Sequence, residues 1–255
     1  MPFDLSSVSK TDNDQPPMLC IYGPGGVGKT TTAYGAPKSI WLRTEDGTGL
    51  LAVDSFPIVK TWQDFMDALA ALHDDHDFST LVIDSLDHLE PLIWEAVCKD
   101  NGVENIEKLG YGKGYVMALD QWREAFRALN SLRKNKGMTI VMIAHCEIIK
   151  FADPHNATID RYNIKLHKKA AAYVFESCDA VLFAHHKFAT KTEQTGFGNT
   201  RTRGINMGER VLGCEEDVGH LAKNRFNMPQ EIPLLWDSID QAINPSKEEK
   251  KNGTT

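Results

Sequence analysis

The chain has 255 residues, 42% hydrophobic and 25% charged, with 28 Lys and Arg against 35 Asp and Glu for a formal net charge of −7. That is the composition of a folded globular protein with length for a sizeable core, and it excludes a disordered, collagen-like or coiled-coil chain. An acidic total repels polyanions, so any contact with nucleic acid has to be local.

Residues 1–17 are polar and carry no apolar signal-peptide core, and no apolar run reaches the roughly 18–20 residues of a membrane span. A flexible tail over 1–17, a folded core over 18–244 and a second tail over 245–255 are expected, with a cytoplasmic location and no membrane partner. The five cysteines (Cys20, Cys98, Cys146, Cys178, Cys214) are odd in number and form no CxxC pair, which fits reduced thiols.

Within the core, short apolar runs alternate with helical patterns. Strands are expected at Met18–Tyr22, Ser39–Leu42, Pro57–Val59, Thr80–Ile83, Thr139–Ala144 and Ala180–Ala184. Trp62, Phe65, Met66, Leu69 and Leu72 recur at helical spacing behind a Thr61 cap, and Leu86, Leu89, Ile93 and Val97 do so next. Val116, Leu119, Trp122, Phe126, Leu129 and Leu132 mark a third helix of about five turns. Beyond residue 185 the pattern turns to strands rich in Thr, Gly and Arg, with a hairpin turn expected around Gly196–Asn199. The fold class read from this order is α/β, a mostly parallel sheet flanked by helices with an antiparallel C-terminal extension.

Between the first strand and the first helix lies GPGGVGKTT, and its residues Gly23, Pro24, Gly25, Gly26, Val27, Gly28, Lys29, Thr30 and Thr31 satisfy G-x-x-x-x-G-K-[ST]. Glycines let backbone amides curl around phosphate oxygens, and the following helix adds its positive end. Lys29 then reaches the β- and γ-phosphates, and Thr30 offers a hydroxyl to Mg²⁺. The cofactors expected are ATP and Mg²⁺. TLVIDS ends a buried strand in Asp84, placed to hold the metal through water, the Walker B role.

The residue after Asp84 is Ser85, where AAA+ motors carry a glutamate, and Pro24 stands where the partition ATPases carry a signature lysine, so both classes are disfavoured. The strand SIWL running into Arg43-Thr44-Glu45-Asp46-Gly47, the strand TIVMIAHCE, and LAKNRFNMP at 221–229 instead resemble the phage-encoded RecA-like ATPases over about residues 18–236. The resemblance implies a RecA-like P-loop fold, with Glu45 polarising the attacking water and His145 in the γ-phosphate-sensing place usually held by glutamine. It also implies that Lys223 and Arg225 reach a neighbouring subunit's triphosphate. The implied function is a recombinase or annealing ATPase that binds single-stranded DNA as a homo-oligomer, ring or filament, with a single-strand binding protein as a further partner.

Two DNA loops are expected on that basis. The first, Leu109–Tyr115, holds Tyr111 and Lys113 among glycines; the second, Ile148 to about Leu166, leads into Arg161, Tyr162, Lys165, Lys168 and Lys169, a basic stretch with no acid. The alternatives are a nucleotide-gated switch binding a protein partner without DNA, and a P-loop kinase. Zinc is not expected, since His73 and His76 lie in an acidic loop and His185 with His186 lacks a third ligand at useful spacing.

Overall fold

A computed structural model describes Asp4, Val8 and residues 15–152, 158–195 and 199–245, without side chains over 188–207. The tails expected over 1–17 and 245–255 lie almost wholly outside the described residues. In chain order the elements are β1 (Met18–Gly23), α1 (Lys29–Tyr34), β2 (Ser39–Arg43), β3 (Asp54–Ser55), α2 (Trp62–Ala71), β4 (Thr80–Asp84), α3 (Leu86–Asp100) and α4 (Lys113–Lys136). They continue with β5 (Thr139–Phe151), β6 (Ile159–Ile164), α5 (Lys168–Ser177), β7 (Ala180–Thr195), β8 (Asn199–Gly213), β9 (Lys223–Asn224), β10 (Glu231–Pro233) and α6 (Trp236–Ile243).

The sheet runs β10-β8-β7-β1-β5-β4-β2-β3, with β6 paired to β5 and β9 to β7. From β3 to β7 the neighbours are parallel; β8, β10, β6 and β9 are antiparallel. This is the α/β architecture expected, a mostly parallel sheet flanked by helices with an antiparallel C-terminal extension. Burial on both faces explains why the central strands read as unbroken apolar runs. Met18, Cys20 and Tyr22 of β1 face α2–α5, while Leu19 and Ile21 face the side of α1 and α6.

Several local forms follow from single residues. Thr61 and Asp64 make a reciprocal capping box that starts α2. Pro57 has no amide proton to give, so the ladder beside β2 ends at Asp54–Ser55, and Pro57–Val59 is not a strand. The third helix is longer than expected, at 24 residues, because it opens at Lys113, directly after Gly112 in the left-handed conformation. β7 and β8 pair out to Thr195↔Asn199, which leaves the turn at 196–198 outside the described residues.

Candidate nucleotide site

The carboxyl ends of β1, β2, β4 and β5 meet along one edge of the sheet, and each delivers one group expected to act there. β5 lies between β1 and β4, with His145 in register with Gly23 and Ile143 with Asp84. Two glycines of the phosphate loop are sterically required. A Cβ on Gly23 would come within 2.2 Å of the Ala184 carbonyl oxygen, and Gly28 has φ +113° with the Arg210 guanidinium 2.7 Å from where its Cβ would lie. The resulting cleft, about 270 Å³, is lined by Gly26, Gly28, Lys29, Thr30 and Thr31 together with Glu45, Gly47, Asp84, Ile143 and His145. A larger groove of about 460 Å³ on the α2–α3–α4 face contains none of the phosphate-loop residues.

Lys29 is buried, and its Nζ donates to the carbonyls of Gly23 and Pro24 at 2.9 Å each. Burial lowers its pKa, opposed by the carboxylate of Asp84. Thr30 Oγ1 donates to Asp84 Oδ2 at 3.0 Å, which puts two oxygen ligands of the kind Mg²⁺ favours side by side. Desolvation raises the Asp84 pKa, so a cation here would restore a charge that the protein alone disfavours.

Glu45 lies two residues past β2, and its Oε1 accepts from Ser85 Oγ at 3.0 Å. Ser85 Oγ is also 2.8 Å from His88 Nδ1, and the Ser85 amide donates to Thr44 Oγ1 at 2.8 Å. The buried Asp87 accepts the His145 amide and its Nδ1, both at 2.9 Å. Burial works to raise the Asp87 pKa, but these His145 bonds hold it below the ordinary carboxylate value. A carboxylate only accepts, so Nδ1 of His145 carries the proton and Nε2 of the neutral ring is a lone pair. In the γ-phosphate-sensing place implied for it, neutral His145 has no donor to spare, since its one N–H is used on Asp87; only the imidazolium has a second.

The sequence marks none of Ser85, Asp87, His88 and Arg210 as a member of the site. The first three sit at the start of α3 and lack a motif of their own, although their position directly after Asp84 was a usable signal. Arg210 comes from β8, far along the chain, and donates from Nη1 to the Val27 carbonyl at 3.3 Å.

Lys223 and Arg225 lie at the other end of β1. β9 pairs with Ala180 and Val181 of β7, at the amino end of that strand. Lys223 Nζ donates to the Phe175 and Glu176 carbonyls at 2.9 and 2.7 Å, closing the end of α5, and burial lowers its pKa. Arg225 Nη1 meets Asp179 Oδ1 at 3.3 Å. Neither residue reaches the chain's own phosphate loop.

The expected DNA loops take other forms. Only Gly110–Gly112 separates a 3₁₀ turn (Ile106–Leu109) from α4, so Lys113 is helical rather than a loop residue. Tyr111 is fully exposed at φ +47°. Tyr115 is not free to meet a base: it stacks on His167 with ring centroids 4.0 Å apart and bonds Glu107. The second loop is a β-hairpin, with β5 running to Phe151 and β6 pairing back on it; residues 153–157 lie outside the described residues. Strand alternation turns Arg161 inward, where it is 5% exposed, bonds Glu216 Oε1 at 2.6 Å and covers the Phe151 ring. Arg161 is therefore withdrawn from the expected basic surface. Tyr162, Lys165, Lys168 and Lys169 remain exposed.

Comparison with known proteins agrees on the class. The SPbeta prophage-derived uncharacterized protein YorG of Bacillus subtilis (strain 168) is 24% identical over 221 residues, 82% of this chain but 59% of that protein, so the chain spans well under two thirds of its relative's length. The crystal structure of the RadB recombinase superposes with a TM-score of 0.43 at 14% identity, covering 78% of this chain and 80% of that one. A family model described as AAA domain matches residues 15–226. Serine follows Asp84 in this chain, and the second carboxylate facing the cleft, Glu45, comes from beyond β2. With its phosphate loop, strand order and more than four fifths of its length accounted for, the chain belongs to the AAA domain family of P-loop proteins.

Proposed function

We propose that the protein is an ATPase that hydrolyses Mg²⁺-bound ATP, with Lys29 on the β- and γ-phosphates and Glu45 as the group that orients and deprotonates the attacking water. The observation that carries this reading is the meeting of Glu45, Lys29, Thr30 and Asp84 in one cleft, from three different strand ends. Thr30 and Asp84 would hold the metal, which supplies positive charge beside the phosphate oxygens. The bond from Ser85 Oγ keeps the Glu45 carboxylate turned to the cleft. Imidazolium at His145, balanced by Asp87, would add a donor for the γ-phosphate.

The reading extends to self-association on single-stranded DNA in annealing or strand exchange. Its support is the exposed group Tyr162, Lys165, Lys168 and Lys169 beside the hairpin, the exposed Tyr111, and the prophage origin of a relative. Lys223 and Arg225 do not reach their own phosphate loop; in this reading they would complete a neighbour's site, and a lone protomer would then turn over slowly. Phosphate release measured with and without single-stranded oligonucleotide tests both parts. Glu45→Gln is expected to bind ATP as the wild type does and to hydrolyse it at least ~100-fold more slowly. Turnover near wild type removes Glu45 from the mechanism. No oligonucleotide retention in the ATP-bound state leaves a protein-binding switch as the better reading, and transfer of the γ-phosphate to an acceptor leaves a kinase.

A further inference from the structure

Beside the phosphate loop, three potential metal-ligating side chains converge at the edge of the cleft. Glu45, His88 and His145 each present one ligand atom, and the three atoms lie within 4.8 Å of one another. They arrive from separate elements: the segment after β2, the first turn of α3, and β5. Their side chains are 27%, 43% and 30% exposed, so an ion can enter from solvent.

The surroundings of His145 supply a second, independent observation. Asp87, whose side chain is 3% exposed, binds the ring at Nδ1 and the backbone amide of the same residue. This is how proteins orient metal-binding imidazoles: a buried carboxylate holds one nitrogen as N–H and leaves the other as a lone pair. The oxygen pair Thr30 and Asp84 suits a hard cation such as Mg²⁺, whereas two imidazoles and one carboxylate suit a borderline one.

We propose that Glu45, His88 and His145 form a site for a divalent transition metal of the Zn²⁺ type, separate from the Mg²⁺ position, with its remaining coordination open to the nucleotide cleft. Because the ion takes Glu45 as a ligand, its binding suppresses ATP turnover without displacing nucleotide; this consequence rests on Glu45 being the water-activating group.

The test is a titration of Co²⁺ alone into the full chain without nucleotide. Visible ligand-field bands of a four- or five-coordinate complex should rise to one equivalent, vanish on addition of Zn²⁺ and persist in excess Mg²⁺. His88→Ala, a change at a part-exposed position, should weaken Co²⁺ and Zn²⁺ binding at least ~100-fold, and Asp87→Asn about 10-fold. Absence of the bands, their loss to Mg²⁺, or wild-type affinity in His88→Ala overturns the site. Zn²⁺ that binds with the expected stoichiometry yet leaves turnover unchanged supports the site and overturns Glu45 as the base, so the two failures are distinct.

Discussion

At the amino end of β1, Asp179 takes the Met18 amide at 3.0 Å, the Arg133 guanidinium at 2.6 Å and Arg225 at 3.3 Å. Arg133 also donates to the Pro16 carbonyl and to Asn130 Oδ1. At the carboxyl end of the same strand, Lys29 is bonded to loop carbonyls, Thr30 to Asp84, and Glu45 to a serine hydroxyl. Both ends gather buried or half-buried charge, but at the first a buried arginine and a carboxylate are bonded directly to one another. At the second the cation and the carboxylates are bonded to neutral partners, which an anionic ligand and its metal can replace. The first end holds the chain together and the second leaves electrostatic capacity for a ligand.

The contrast can be broken most sharply at Lys29. Lys29→Ala is expected to lower ATP turnover ~10³-fold or more, about 4 kcal/mol of transition-state stabilisation, in a phosphate-release assay. Its melting temperature should hold or rise, because a desolvated ammonium is removed. Asp179→Ala should do the reverse: urea unfolding should show a loss of about 3 kcal/mol, as Arg133 is left buried without its carboxylate, while ATP affinity is retained.

A third test concerns Glu90, buried on α3 with both carboxylate oxygens accepting the His167 amide, at 3.1 and 2.9 Å. Burial pushes its pKa up to about 7, with Glu147 and Asp87 adding to the rise and the His167 bond opposing it. The folded chain thus binds a proton more tightly than the unfolded one, and Glu90 costs stability as pH rises from about 4.5 to about 7, after which the cost is constant. Glu90→Gln should therefore stabilise the fold at pH 8 by up to about 3 kcal/mol and change little at pH 4, as read by denaturation at the two pH values. The smallest effect is expected at the surface. Replacing Lys168 and Lys169 with Ala should weaken single-strand binding and lower the log–log salt slope by about 1.4, measured by fluorescence anisotropy across a salt series.

How legible each part was in the sequence follows from how far apart its determinants lie. The phosphate loop is contiguous, and its glycines answer to local backbone needs, so Gly23–Thr31 could be read directly. Asp84 and Glu45 could be read as strand ends because the strands were clear. The Ser85, Asp87 and His88 network was not, since its meaning depends on which strand ends lie beside the start of α3. The basic stretch at 161–169 misled for a related reason. A count of charges along the chain ignores the two-residue period of β6, which sends Arg161 into the interior and leaves Tyr162 outside. Lys113 and Tyr115 read as loop residues because they are interspersed with Gly110, Gly112 and Gly114, yet α4 begins at Lys113. The metal-type cluster was invisible to a search for ligand spacing, because its three members are far apart in sequence and adjacent only at the sheet edge.

β5 is one unbroken strand of 13 residues without glycine or proline, about 43 Å from end to end. Its first half is locked between β1 and β4, its middle carries His145 into the cleft, and its remaining six residues, Cys146–Phe151, form one side of the hairpin. Such an element behaves as a beam clamped at one end and projecting past its support. A small rotation where the triphosphate would sit is magnified with distance along the beam, so among the described residues of the hairpin the largest displacement falls at Phe151 and its partner Ile159, the far end of the paired strands.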